Sequence, residues 1–111
     1  MIAFHGDPAV KEKYVSRVKA HRAADELVAG CGWKKNSVTR GCAVGCTFDC
    51  YEHARGPIEI GFPEELMYLE DAIFEGLAST DTDLSHLAFL TAFLEAVRPG
   101  ADLSLVWPRF A

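Results

Sequence analysis

The chain has no apolar run long enough to cross a membrane. A spanning helix needs roughly 18 to 20 consecutive apolar residues, and the longest candidate segment, 84–97, is interrupted by polar and charged side chains. The N-terminus has neither the charged segment nor the long apolar segment of a secretory signal peptide. These absences predict a cytoplasmic protein with no membrane partner. Its cysteines should then stay reduced unless they bind metal or do redox work.

Positive charge is also scarce in this sequence. Lys and Arg number 11 against 16 Asp and Glu, which gives a formal net charge of −5. We expect no nucleic-acid partner, because nothing neutralises the phosphates overall. The sequence also lacks a glycine-rich phosphate loop, a dinucleotide-binding fingerprint, a G-x-S-x-G elbow and an H-E-x-x-H zinc motif. It therefore leaves open whether the protein is an enzyme.

What the chain does have is the composition of an ordinary globular domain. Half of its 111 residues are hydrophobic and 24% are charged. A chain of this length can bury a core without metals or disulfides, so we expect a single domain over residues 1–111. The tail 103–111 is apolar to its last residue, whereas termini are usually polar and frayed. Either the tail packs on the body or the chain is a fragment of a longer protein.

Capping residues and hydrophobic periodicity predict three helices, over residues 8–29, 63–77 and 82–97. Asp7 and Pro8 suit the start of the first helix. The glycine-rich segment 31–62 is ambiguous, and within it we expect a short helix over 41–53 in preference to a strand. The sequence thus predicts an all-α fold: a small bundle of three to four helices with an irregular Gly/Cys-rich segment between the first helix and the last two.

Polar side chains fall on helix faces that should be apolar. His21 and Asp25, four residues apart, lie within the apolar arc of the first predicted helix, and Glu70 lies within that of the second. A buried carboxylate without a partner costs several kcal/mol. We therefore expect these side chains, together with His53, to face one internal polar site. Such a site would bind a small-molecule ligand or a metal ion, and the alternative is a buried hydrogen-bond network.

Three cysteines recur at intervals of four residues: Cys42, Cys46 and Cys50. This spacing puts them on one face of a helix, and on one face of a strand as well. The cluster predicts close packing of small thiols, a metal site or a reactive thiol. Its spacing matches neither the usual zinc pattern C-x₂₋₄-C nor the redox motif C-x-x-C. A thiol-dependent redox enzyme therefore stays among the alternatives.

The third predicted helix is apolar on most of its sides. Such a helix is either buried or part of an interface. This favours a second kind of function, a homodimerising interaction module that uses the helix and the apolar tail. The one histidine of this helix, His86, shows no partner in the sequence and is expected at the surface.

Two stretches resemble segments of a small family of uncharacterised bacterial proteins. They are GCAVGCT at 41–47, followed by His53, and LEDAIFEGL at 69–77, with a similar pattern at 21–25 before them. The likeness extends over residues 15–80, and relatives continue beyond the apolar tail, in keeping with a fragment. The resemblance implies a bacterial cytoplasmic protein and carries no known activity.

Overall fold

The computed structural model describes residues 1–35, 38–80 and 85–104, and is mostly helical with one small antiparallel sheet. In chain order it has a 3-10 turn at Ala3–Gly6, helix α1 at Pro8–Ala23, strands β1 at Trp33–Lys35 and β2 at Thr39–Gly41, the short helix α2 at Ala43–Phe48, a π-helical turn at Gly56–Ile60, helix α3 at Glu64–Thr80 and helix α4 at Ser85–Ala96. Within these ranges, no helix is long and apolar enough to cross a membrane.

Helix α1 begins as predicted but ends at Ala23 instead of Ala29. The Asp7 carboxylate accepts a hydrogen bond of 2.9 Å from the amide two residues further on, and Pro8 occupies the first turn. This satisfies an amide that has no partner within the helix. The helix ends because Asp25 adopts a left-handed backbone conformation, with φ 58°, which Asp tolerates better than most residues.

The segment that was expected to be irregular contains a β-hairpin. Strand β1 pairs with β2 in antiparallel register, with Trp33 opposite Gly41. The chain leaving α1 also pairs with Gly41, because the Val28 amide donates to the Gly41 carbonyl and the Gly41 amide donates to the Glu26 carbonyl, both at 2.8 Å. The fold is therefore not purely all-α, since backbone pairing between separate segments replaces the last predicted turns of the first helix.

The helix expected over 41–53 is present only over Ala43–Phe48. It ends where Asp49 takes a left-handed conformation, with φ 56°. All six residues of α2 are buried. A Cβ added to Gly45 would lie 2.0 Å from the carbonyl oxygen of Gly32, so this close approach of α2 to the start of the hairpin requires glycine.

Helices α3 and α4 correspond to the two predicted C-terminal helices. Helix α3 extends to Thr80 rather than ending at Leu77, and α4 covers most of the predicted range 82–97, whose first residues lie outside the described part of the chain. The two helices pack on each other, α1 packs on α4, and α2 packs on α1 and α3. One continuous core results, with Phe74 and Leu94 among its fully buried side chains.

The apolar side chains of α4 are covered by the chain itself. Leu90 and Leu94 are fully buried, and Phe89 and Phe93 are partly buried against the core. Within the described ranges, no large hydrophobic side chain of α4 is among the exposed ones. Homodimerisation through this helix stays a prediction, and the apolar tail from residue 105 onward lies outside the described residues.

Candidate metal centre

A thiol and two carboxylates meet between α2 and α3. The Cys42 thiol, just before α2, donates a hydrogen bond of 3.2 Å to Asp71 Oδ1. Glu75 lies one turn further along α3, and one ligand atom from each of the three residues lies within 4.8 Å of the other two. Cys42 and Asp71 are buried and Glu75 is half-buried. In the described part of the chain, this is the one group of three or more His, Cys, Asp or Glu with such spacing.

Three segments hold this cluster, which we call the Cys42–Asp71–Glu75 cluster. Asp71 and Glu75 are four residues apart on α3 and so share a face of the helix. The amide of Gly30 donates to Glu75 Oε1 at 2.8 Å, which fixes the outer carboxylate. The amide of Cys42 donates to the Gly32 carbonyl at 2.8 Å. The cluster therefore depends on tertiary contacts between α3, α2 and the loop that precedes the hairpin.

Aromatic side chains line one side of the cluster. The Tyr51 hydroxyl donates to Asp71 Oδ2 at 2.8 Å. The Nε2 atom of His53 lies 3.6 Å from the same oxygen, which is too far for a hydrogen bond. The His53 ring stacks on Tyr68 with centroids 3.8 Å apart and planes 1° from parallel, and it meets the Tyr51 ring edge-on at 5.0 Å. The imidazole is thus positioned by ring packing rather than by a hydrogen bond at Nε2.

The surroundings of the cluster keep the Cys42 thiol and the neighbouring Tyr51 hydroxyl protonated. Burial raises the pKa of the Cys42 thiol to about 12, and the nearby Asp71 carboxylate contributes in the same direction. Burial, followed by the hydrogen bond to Asp71, also raises the pKa of Tyr51. Both effects disfavour the anion, because it would lose hydration and face a second negative charge. A bound cation would reverse this balance, since a coordinating thiol is deprotonated outright.

His21 and Asp25, two of the residues predicted to form an internal polar site, lie elsewhere. His21 pairs through Nδ1 with Glu26 and through Nε2 with Asp49, both at 2.7 Å. Asp25 is exposed beyond the end of α1. Because α1 ends at Ala23, before Asp25, the helical spacing of four residues that would place Asp25 beside His21 is absent. The structure therefore puts His21 in a hydrogen-bonded network with Glu26 and Asp49 rather than with Glu70.

Glu70 is fully buried on the apolar face of α3, where helical projection places it. Neither of its carboxyl oxygens has a hydrogen-bond partner among the described residues. Burial, and then the adjacent charge of Asp71, raises the pKa of Glu70 to about 8. The side chain is therefore mainly a neutral carboxylic acid at pH 7. Of the four predicted site residues, His53 brings a ring nitrogen to within 3.6 Å of the Asp71 carboxylate of the cluster.

The three cysteines predicted to share a face have separate partners. Cys42 faces Asp71, whereas the buried Cys46 thiol donates to the Gly41 carbonyl at 3.2 Å. Cys50 lies beyond the end of α2 and is half-buried. Burial raises the pKa of Cys46 as well as that of Cys42. A nucleophilic thiol needs a depressed pKa, so these environments do not favour a thiol-dependent enzyme at either position.

Sequence reasoning missed two members of the cluster. Helical projection places Asp71 at the edge of the apolar face of α3 and Glu75 away from it, yet Asp71 is only 8% exposed. The start of α2 covers this edge through the Cys42–Asp71 hydrogen bond. The signal available in the sequence was the four-residue spacing of Asp71 and Glu75, which places both carboxylates on one helix face.

His86, expected at the surface, is buried instead. It is 8% exposed, and its ring meets the Phe74 ring edge-on at 5.2 Å. Its Nδ1 atom has no hydrogen-bond partner within the described ranges. His86 is not a member of the Cys42–Asp71–Glu75 cluster, which makes it a matched reference for His53 in the experiments below.

No protein-family model, no curated protein and no solved structure matches the chain. The resemblance of the segments 41–53 and 69–77 to a bacterial family therefore stays a prediction.

Proposed function

We propose that this chain is a small helical domain that binds a divalent transition-metal ion, Zn²⁺ by preference, through Cys42, Asp71 and Glu75. The observation that carries the proposal is the convergence of one thiol and two carboxylates within 4.8 Å. Tetrahedral Zn²⁺, with bonds of roughly 2.0 to 2.3 Å, sets its ligand atoms about 3.5 Å apart. The Cys42 Sγ and Asp71 Oδ1 atoms are 3.2 Å apart, which is close to this spacing.

The types of ligand support a transition metal in particular. A thiolate is a soft ligand that suits Zn²⁺, whereas Mg²⁺ and Ca²⁺ require oxygen ligands and more of them. Buried negative groups are costly unless a positive partner is present. A divalent cation between Asp71 and the Cys42 thiolate would supply that partner at a place where both residues are buried.

A reducing compartment suits this proposal. Cys42 must stay a free thiol in order to bind an ion, and all four cysteines are free. Reduced cysteines are the rule in the cytoplasm. We therefore keep a cytoplasmic location as part of the proposal, together with a role in holding a metal ion.

Metal analysis and calorimetry test the proposal. Protein purified without an affinity tag is analysed for bound metal, stripped with a chelator and titrated with Zn²⁺. We expect one ion per chain, with binding weakened by about tenfold or more in each of the variants Cys42→Ser, Asp71→Asn and Glu75→Gln. Circular dichroism confirms that each variant is folded.

The matched control is Cys50→Ser, which removes a half-buried thiol outside the cluster. This variant should keep wild-type affinity for Zn²⁺. The proposal fails if the wild-type protein neither carries metal nor responds to Zn²⁺. It also fails if folded Cys42→Ser binds Zn²⁺ as tightly as the wild-type protein does.

A further inference from the structure

We infer that His53 is the fourth ligand of the ion held by Cys42, Asp71 and Glu75. This inference rests on the proposed function and adds a residue from outside the 4.8 Å cluster. Its consequence is a closed centre, with four protein ligands and no coordination position left for water or substrate.

The first observation is an orphaned ring nitrogen. His53 is 9% exposed, and its Nε2 atom is buried without a hydrogen-bond partner in the part of the chain that the structure describes. Buried polar atoms in native proteins nearly always have a partner. This nitrogen faces the Asp71 carboxylate, so the direction of its missing partner is the direction of the cluster.

The second observation is the distance between the His53 imidazole and the Asp71 carboxylate. A hydrogen bond between imidazole and carboxylate would bring the atoms to about 2.7 to 2.9 Å, but His53 Nε2 and Asp71 Oδ2 are 3.6 Å apart. Two ligands bound at roughly 2.0 to 2.1 Å to one tetrahedral ion stand about 3.3 Å apart. The observed spacing is therefore nearer to that of two ligands of a common ion.

The Asp71 carboxylate connects the two sides of the site. Its Oδ1 atom faces Cys42, and its Oδ2 atom faces His53. Rotation about the Cβ–Cγ bond lets either oxygen bind the ion. The hydroxyl of Tyr51, which donates to Oδ2 at 2.8 Å, would then orient the carboxylate from outside the coordination sphere, as second-shell groups commonly do.

Ring packing holds the imidazole in place for this role. Tyr68 covers one face of the His53 ring in a parallel stack, and the Tyr51 ring meets it edge-on. Side chains locked by packing are the ones that hold a metal-site geometry. With a thiolate and an imidazole both present, the centre would select Zn²⁺ or Co²⁺ over Ca²⁺ and Mg²⁺. Four protein ligands are the pattern of sites that hold the ion rather than use it for catalysis.

Cobalt substitution with chemical rescue tests the inference on the full chain. Co²⁺ bound to the wild-type protein should give the absorption of a tetrahedral site with a thiolate ligand, and added imidazole should leave this spectrum unchanged. His53→Ala should bind Co²⁺ at least about 100-fold more weakly, since losing a ligand should cost no less than the roughly 10- to 100-fold loss seen for second-shell partners, while the thiolate-to-cobalt band is kept. Added imidazole should restore the affinity for Co²⁺ and the tetrahedral spectrum, because it would occupy the space that the missing His53 ring leaves beside Tyr68.

Two further variants make the outcomes distinct. His86→Gln removes another buried histidine with an unpartnered ring nitrogen and should leave the affinity unchanged. If His53→Ala does not fold, His53→Gln replaces it, and its oxygen donor should shift the cobalt spectrum. Failure of the wild-type protein to bind Zn²⁺ or Co²⁺ overturns the proposed function itself. Wild-type affinity and spectrum in the folded His53 variants, with binding still lost in Cys42→Ser, overturn only the role of His53.

Discussion

Replacing Glu70 with glutamine should remove a penalty on folding that grows as the pH rises. Burial and the charge of Asp71 raise the pKa of Glu70 from 4.5 to about 8 in the folded chain. The folded state therefore holds this proton more tightly than the unfolded state does. The stabilising contribution of the proton is complete below pH 4.5 and is lost as the pH rises through 8.

The magnitude follows from the difference between the two pKa values. The pKa rises from 4.5 to about 8, and a tenfold change in an equilibrium constant corresponds to about 1.4 kcal/mol, so the whole effect is about 5 kcal/mol. At pH 7 roughly 3 kcal/mol of it has been lost, and at pH 9 nearly all. Glutamine is neutral throughout. Glu70→Gln should therefore match the wild-type protein near pH 4 and exceed its free energy of unfolding increasingly above that.

Urea unfolding followed by circular dichroism at several values between pH 4 and pH 9 measures this difference. A chelator is present throughout, so that metal binding does not contribute. The matched control is Glu12→Gln, which neutralises an exposed glutamate of α1 and should change the free energy of unfolding by less than about 0.5 kcal/mol at every pH. If the gap between Glu70→Gln and the wild-type protein does not widen from pH 5 to pH 9, the reasoning about this buried carboxyl is wrong.

Four other perturbations have definite expected results. Gly45→Ala should destabilise the fold by about 3 kcal/mol, because its Cβ would lie 2.0 Å from the Gly32 carbonyl oxygen. Gly76→Ala, whose Cβ meets no described atom within 4 Å, should stabilise α3 by up to about 1 kcal/mol, and thermal unfolding checks these opposite signs. Lys11→Met should cost about 1 to 2 kcal/mol in urea unfolding, since Lys11 Nζ donates to two carbonyl oxygens at the end of α4 at 2.7 and 2.8 Å; a variant as stable as the wild-type protein would contradict this. A thiol reagent should modify the two half-buried cysteines quickly and the two buried ones only on unfolding; mass spectrometry counts the labels, and rapid labelling of all four would refute the burial argument.

Local rules predicted the parts of the fold that depend on local chemistry. The start of α1 at Pro8 follows from a capping Asp and a Pro in the first turn, and α3 and α4 follow from apolar periodicity. The end of α1 could not be predicted this way. It depends on the backbone hydrogen bonds that Val28 and Glu26 make with Gly41, and these partners are distant in sequence.

The same distinction applies to the site. Residue type and helical projection identified Glu70 as buried, and Cys42 and His53 as candidate ligands. They missed Asp71 and Glu75, because the start of α2 and the loop at Gly30 cover that side of α3. Coverage of a helix edge by a distant segment leaves no periodic signal in the sequence.

Hydrogen bonding and position distinguish the buried and half-buried polar groups from one another. Both ring nitrogens of His21 have carboxylate partners, so its network is complete without a ligand. Glu70 has no hydrogen-bond partner among the described residues, and protonation removes its charge but leaves its oxygens unpaired. His53 and His86 each keep a ring nitrogen without a hydrogen-bond partner in the same part of the chain. What distinguishes His53 is its position, because its unpartnered nitrogen lies 3.6 Å from the Asp71 carboxylate of the proposed metal centre.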